Sequence, residues 1–272
     1  MKINGSTLVH GIMGNPVSHS LSPAMHNGAF AATGINGVYV PFPVEDVAAA
    51  ISGVKALGVR GVSVTIPHKQ AVMEHLDEIH PVAERIGAVN TLVIHEGWLK
   101  GYNTDWLGAN RALEDAMDLA GATVLLLGAG GSARAIGFGL LEAGAQVIVA
   151  SRTPKPGQAL AKQLACPWHP LADVAELAAD AVVNATSVGM GTMRDMSLVP
   201  QAVVGSFPVV MDIVYAPLQT RLLKEAKEAG CRTINGLQML LYQGAAQFEL
   251  WTGQEAPVAV MAAELKNAMG LK

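Results

Sequence analysis

The chain has 272 residues, 51% hydrophobic and 15% charged, with 18 basic and 22 acidic side chains and a net charge of −4. That balance supplies a large core and excludes disorder, and the absence of a Lys/Arg-rich run argues against nucleic acid or an anionic membrane surface as a partner. Cys166 and Cys231 stand far apart with no metal-ligand spacing, and the N-terminal residues lack an apolar signal core, so a cytoplasmic protein without a metal is expected.

Residues 8–13 read as a short apolar strand ending at the turn Gly14-Asn15-Pro16. Ser22-Pro23 places serine at an N-cap and proline at the first helical position. Residues 37–42 are predicted as a second strand, 44–57 as an amphipathic helix closed by Gly58, and 62–66 as a third strand halted by Pro67. This alternation predicts a mostly parallel sheet with crossover helices. Two short strands, 91–94 and 99–102, flank the turn Glu96-Gly97, and a helix is expected over 105–117. From Ile3 to Val44 there is no charged residue, so whatever this segment binds is held by hydroxyls, amides and imidazoles. Gly, Pro, Ser, Asn and His interrupt it too often for a membrane span.

After Gly121-Ala122 the pattern changes. Residues 123–127 form a fully apolar run, followed by a glycine loop, a helix over 134–142 and a strand over 146–150. Further strands are expected at 181–184, 209–213 and 231–234, with a helix over 219–229 between the last two. Closing helices are expected over 237–251 and 257–269.

The loop Gly128-Ala129-Gly130-Gly131-Ser132-Ala133 fits G-x-G-x-x-G/A between a predicted strand and a predicted helix. Its first glycine makes the tight turn, its second lets the backbone approach a pyrophosphate, and its small third residue lets helix and sheet pack closely. The helix N-terminus adds free N–H groups and a positive dipole end. In this setting the motif predicts a dinucleotide. The following strand ends Ala150-Ser151-Arg152-Thr153, without the acid that usually holds an NAD ribose. Arg152 suits a 2′-phosphate, so NADP is the expected cofactor; the alternative for Arg152 is a solvated surface residue.

Polar side chains gather at predicted strand ends: Ser18-His19-Ser20-Leu21-Ser22, Thr65 with His68-Lys69, Asn90-Thr91, and Asn103-Thr104-Asp105. Lys69 and Asp105 are the pair suited to moving the proton that accompanies hydride transfer between alcohol and carbonyl. On residues alone they read equally as a surface ion pair.

Eight motifs in order resemble the shikimate dehydrogenase (shikimate/quinate dehydrogenase) family. They are Ser20-Leu21-Ser22-Pro23, Val64-Thr65-Ile66-Pro67-His68-Lys69, Gly87-Ala88-Val89-Asn90-Thr91, Asn103-Thr104-Asp105, the loop from Gly128 to Gly131, Asn184-Ala185-Thr186-Ser187, the segment from Asp212 to Pro217, and that from Gly236 to Gln243. The resemblance implies that Lys69 is the catalytic lysine and Asp105 its acid. It implies that Ser20 and Ser22 hold a substrate carboxylate with Tyr215 nearby, and that Thr65, Asn90 and Gln243 read ring hydroxyls. It further assigns Ser151, Arg152 and Thr153 to an NADP-specific turn, Thr186, Ser187 and Ile213 to the cofactor side, and Gly236 and Met239 to the nicotinamide.

The implied reaction is reversible NADP-dependent reduction of 3-dehydroshikimate to shikimate, a step toward chorismate and the aromatic amino acids. A quinate/shikimate dehydrogenase, or a paralogue acting on a shikimate analogue, with NAD as cofactor, is the alternative. The chain departs from the family's usual pattern at Ser63, where Asn is common, at Pro154-Lys155-Pro156, where a second basic residue often follows the arginine directly, and at Ile213, where Met is common.

The expected architecture is α/β with two domains. An N-terminal substrate domain with a mostly parallel sheet, 1–105, is completed by returning C-terminal helices, 238–272; a Rossmann-type NADP-binding domain covers 106–237. A small-molecule substrate is expected, in a monomer or homodimer.

Overall fold

The structure is a computed structural model that describes residues 2–271. The chain divides into two compact units, Met1–Thr104 with Leu241–Lys272, and Asp105–Leu240. Asp105, expected as the last residue of the first domain, is thus counted with the second unit, which ends at Leu240 against an expected 237.

The first unit opens with β1 (Leu8–Gly14), α1 (Ser22–Thr33), β2 (Gly37–Pro43), α2 (Val47–Ala56) and β3 (Gly61–Val64). It continues with a 3₁₀ turn over Ala71–His75, β4 (Glu78–Ile79), α3 (Pro81–Ile86), β5 (Thr91–His95) and β6 (Trp98–Tyr102). Helix α1 turns Ser22, Met25, His26, Ala29 and Phe30 inward, an i, i+3, i+4, i+7, i+8 stripe, and Gly34 ends it in the left-handed region. Asn27 fastens it to β2 by bonding both the N–H and the carbonyl of Tyr39, each at 2.9 Å. Ser22 is not the cap of this helix but its first residue. The Ser20 hydroxyl instead accepts the Ser22 N–H at 3.2 Å. Helix α2 starts at Val47 rather than 44, because the Asp46 carboxylate accepts the Ala49 N–H at 3.0 Å. Such a cap contributes about 1 kcal/mol.

The sheet order is β2-β1-β3-β5-β6-β4. Strands β2, β1 and β3 run parallel, while β5 lies antiparallel to both β3 and β6. Its buried core joins Met13, Val62 and Val64 to Ile51, Val72, Leu92 and Leu99. Near the C-terminus, α10 (Val258–Ala268) packs on α1 within this unit.

The second unit begins with α4 (Asp105–Glu114), three residues shorter than expected. Then come β7 (Thr123–Leu127), α5 (Gly131–Glu142), β8 (Gln146–Ser151), α6 (Pro154–Leu164), β9 (Trp168–Pro170) and a 3₁₀ turn over Leu171–Glu176. The rest comprises β10 (Ala181–Asn184), a 3₁₀ turn over Gly191–Met193, α7 (Gln201–Val204), β11 (Val209–Asp212), α8 (Arg221–Glu228) and β12 (Arg232–Ile234). The last long helix, α9 (Gly236–Thr252), starts in this unit and carries the chain back into the first.

All strands of the second sheet are parallel, in the order β12-β11-β10-β7-β8-β9. Counted from β7, this is the doubly wound 3-2-1-4-5-6 arrangement, whose order reverses between β7 and β10. Strands buried on both faces need continuous apolar runs, and residues 124–127 and 181–183 supply them. Among the described residues no helix is long and apolar enough to cross a membrane.

Candidate active site

Sheet direction explains why distant polar segments of the first unit meet. The C-terminal ends of β1 and β3 lie side by side, with Met13 opposite Val64. Because β5 is antiparallel, its first residue Thr91 pairs with Ser63 near the end of β3 and with Tyr102 at the end of β6. One sheet edge therefore carries Ser20 and Ser22 after β1, Thr65 and Lys69 after β3, Asn90 before β5, and Asn103 and Thr104 after β6. Strand β3 stops at Val64, two residues earlier than expected, so Thr65 lies in the turn beyond it.

The backbone fixes this edge tightly. The Thr65 N–H donates to the Met13 carbonyl at 2.9 Å and the Val89 N–H to the Lys69 carbonyl at 2.8 Å, which pins the lysine segment to the loop before β5. Asn90, 2% exposed, accepts the Thr104 N–H at 2.8 Å on Oδ1. Its Nδ2 donates to Thr104 Oγ1 at 3.1 Å and to Gln243 Oε1 at 3.4 Å. Asn103 is buried and donates to the Ala88 carbonyl at 2.9 Å. His68, beside Lys69 in sequence, is buried, and its Nε2 hydrogen bonds with the Val44 carbonyl at 2.8 Å. Lys69 is half-buried, and Asp105 is buried at the first position of α4 in the second unit.

Two buried histidines stand behind this edge. Burial above all, with Arg60 adding to it, pushes His10 down to about 4. Burial and then the neighbouring His10 push His26 down to about 3, against an opposing effect of the Gln247 side chain. His26 stacks on Tyr39 with ring centres 4.5 Å apart, so both histidines are neutral parts of an aromatic cluster.

In the second unit, a cleft of about 390 Å³ opens where the strand order reverses. Gly128, Ala129 and Gly130 line it, together with Ser151, Arg152 and Thr153 after β8, and Thr186 and Ser187 after β10. Gly128 has φ 118°, and a Cβ there would press on Thr186 Cγ2 at 2.8 Å and the Ala185 carbonyl at 3.2 Å. Gly130 differs: a Cβ there would meet no protein atom within 4 Å. Its bare backbone faces open space at the N-terminus of α5, a setting that admits a pyrophosphate. Ser132 is half-buried, whereas Ala133 is fully buried and packs helix against sheet. The Ser151 hydroxyl is occupied, accepting Trp168 Nε1 and donating to the Thr153 carbonyl, both at 3.0 Å. Arg152 and Thr153 are exposed at the rim. These residues fit a dinucleotide carrying a 2′-phosphate.

Ile213 and Gly236 come together in the same unit, since any side chain at Gly236 would collide with the Ile213 carbonyl. Tyr215 is half-buried two residues beyond Ile213, and Met239 is buried one turn into α9. Sequence reasoning assigned no role to Asp212, which is fully buried at the end of β11. Its carboxylate accepts the Val214 N–H and Asn184 Nδ2, both at 3.0 Å, and the Thr220 hydroxyl at 2.7 Å. Burial raises Asp212 to about 6 in spite of these donors. Asn184 in turn accepts the Thr186 hydroxyl at 2.7 Å, so one buried acid braces the loops after β10 and β11. Among the described residues no group of three or more His, Cys, Asp or Glu could hold a metal ion.

A doubly wound sheet with an open glycine turn at its reversal point, joined to an α/β unit with a polar sheet edge, defines a two-unit α/β oxidoreductase class. Family models match in three segments: the shikimate dehydrogenase substrate binding domain over residues 12–92, shikimate / quinate 5-dehydrogenase over 109–205, and the shikimate 5′-dehydrogenase C-terminal domain over 236–266. The chain is 49% identical to a shikimate dehydrogenase (NADP(+)) from Moorella thermoacetica, across 99% of this chain and 96% of that one. Among solved structures it is similar to a shikimate dehydrogenase in complex with NADP+, with TM-score 0.92, 43% identity and coverage of 98% and 97% of the two chains. It is also similar to the Thermus thermophilus shikimate 5-dehydrogenase in complex with NADP(H) and shikimate, with TM-score 0.88, 41% identity and coverage of 96% and 100%. The chain belongs to the shikimate dehydrogenase family.

Proposed function

We propose that this protein catalyses the reversible NADP-dependent reduction of 3-dehydroshikimate to shikimate. The observation that carries the reading is the cleft at the strand-order reversal, where the open backbone of Gly130 and the rim guanidinium of Arg152 together suit an NADP pyrophosphate and 2′-phosphate. The dinucleotide, when bound, supplies or accepts the hydride at its nicotinamide. Gly128, Ala129, Gly130, Gly131 and Ser132 would hold its phosphates, with Ala133 supporting the helix packing; Thr153 would join Arg152, and Ser151 would shape that turn. Thr186, Ser187, Ile213, Gly236 and Met239 would border the rest of the cofactor.

The polar edge of the first unit suits a small polyol acid. Ser20 and Ser22 would hold the carboxylate through hydroxyls, in keeping with a segment free of Lys and Arg, and Tyr215 would add a phenol. Thr65, Asn90 and Gln243 would read ring hydroxyls, the two amides offering both donors and acceptors. Lys69 Nζ would give the ring oxygen its proton on reduction and recover it on oxidation, with Asp105 as the carboxylate of that acid–base chemistry.

Lys69→Ala tests this assignment. Removing a general acid that acts on the transferring proton lowers kcat by about 10²–10⁴-fold, with shikimate affinity kept within about tenfold. Near-normal turnover in the folded variant would remove Lys69 from the mechanism.

A further inference from the structure

Gln247 lies one helical turn beyond Gln243 on α9, on the same face, and is 1% exposed. Its Nε2 donates to the Asn90 carbonyl at 3.1 Å and to Thr91 Oγ1 at 2.9 Å. Its Oε1 accepts the Ser63 hydroxyl at 2.7 Å, and Ser63 Oγ accepts the Tyr39 hydroxyl at 2.6 Å. Thr91 Oγ1 then donates to Asn90 Oδ1 at 2.7 Å. A buried chain of hydrogen bonds therefore runs from Tyr39 through Ser63, Gln247 and Thr91 to Asn90.

The sense of every link follows from two backbone groups. The Asn90 carbonyl can only accept, so the end of Gln247 that meets it must be the amide nitrogen. The other end is then an acceptor, and Ser63 must turn its proton toward it. With Gln247 Nε2 filling a Thr91 lone pair, the Thr91 proton goes to Asn90 Oδ1. The Thr104 N–H, which can only donate, meets the same oxygen at 2.8 Å. Both constraints leave the Asn90 nitrogen directed toward Gln243. Without Gln247, the Thr91 hydroxyl loses the donor that directs its proton to Asn90 Oδ1 and can turn it instead toward Thr104 Oγ1 at 3.5 Å. The Asn90 carbonyl, which also accepts the Val64 N–H at 2.7 Å, loses its second buried donor.

We infer that Gln247 is a positioning residue for substrate recognition: it fixes the orientation of the Asn90 carboxamide through Thr91 and the Asn90 carbonyl. The inference rests on the proposed role of Asn90 and Gln243 in reading ring hydroxyls. Its mark is a loss in substrate binding, passed through Asn90, that leaves the cofactor untouched.

The test measures KM for shikimate, KM for NADP and kcat in Gln247→Met, Asn90→Ala and the double variant. Gln247→Met should raise the shikimate KM by about tenfold, in line with the loss of a buried hydrogen-bonding group, with kcat within about threefold and the NADP KM within about twofold. The double variant should be no worse than Asn90→Ala alone, because residues acting through one contact are not additive. Effects that multiply in the double variant, or a Gln247→Met protein with an unchanged shikimate KM beside a damaged Asn90→Ala, would overturn the inference. If Asn90→Ala itself leaves the shikimate KM unchanged, the substrate reading fails, and the inference with it. Should Gln247→Met not fold, Ser63→Ala cuts the chain at its next link and is expected to raise the shikimate KM by about threefold, with the NADP KM unchanged. No change there would count against the inference in the same way.

Discussion

In the proposed function, cofactor choice turns on Arg152. It stands exposed at the rim of the glycine-loop cleft, where a 2′-phosphate has no competing protein partner to displace among the ion pairs of the described residues. A charge-assisted hydrogen bond of this kind contributes about 1.5–3 kcal/mol. Arg152→Ala should therefore raise the NADP KM by about 10–100-fold and change that for NAD by less than about threefold; steady-state kinetics with both cofactors checks this. The place of Arg152 at the cleft rim could be read from sequence because it lies at a fixed offset from a local motif. Gln247 could not, since its partner Ser63 is 184 positions away. A buried amide in an apolar helix looks like any tolerated polar residue until the sheet brings Ser63, Thr91 and Asn90 around it.

At the scale of elements, every strand except the short β4 and β9 and most of the long helices followed from apolar runs and periodicity, and the failures have physical causes. Helix α6 is absent from the sequence reading because Pro154 and Pro156 look like breakers. Both fall in the first turn, where backbone N–H groups have no intrahelical partner, so proline costs nothing there. The antiparallel placement of β5 follows from pairing partners, which alternation alone does not specify.

The loops after β10 and β11 depend on Asp212, and its pH dependence makes that testable. Its value in the folded protein is raised from 3.8 to about 6, so its favourable contribution is complete below about pH 4 and is lost as pH rises through 6. His10 and His26, pushed down from 6.5, act in the opposite sense: they destabilise as pH falls below 6.5 toward about 4 and about 3. Their effect is common to wild type and an Asp212 variant and cancels in the difference. Asp212→Asn should thus gain about 2–3 kcal/mol relative to wild type between pH 4 and pH 7, on top of a constant loss from the weakened Thr220 bond. Urea unfolding at the two pH values measures it, and a difference that does not vary with pH would contradict a buried, elevated carboxyl.

At the scale of the whole molecule, two parallel-rich sheets each gather polar groups beyond the carboxyl ends of their parallel strands, as open α/β sheets do, with Asn90 joining from the amino end of the antiparallel β5. The first unit collects hydroxyls and amides from five separate segments, and the second builds the cleft at its strand-order reversal. That division of labour was legible in the order of the motifs, whereas the supports behind them, Asp212 in one unit and Gln247 in the other, emerge only from folding. The most direct measurement of the central claim is kcat/KM for shikimate and for quinate, each with NADP and with NAD, followed by the absorbance of the reduced cofactor. Shikimate with NADP should exceed every other pairing by at least about tenfold, the discrimination expected when one phosphate contact or one ring substituent is mismatched. Equal or better turnover of quinate, or of shikimate with NAD, would contradict it.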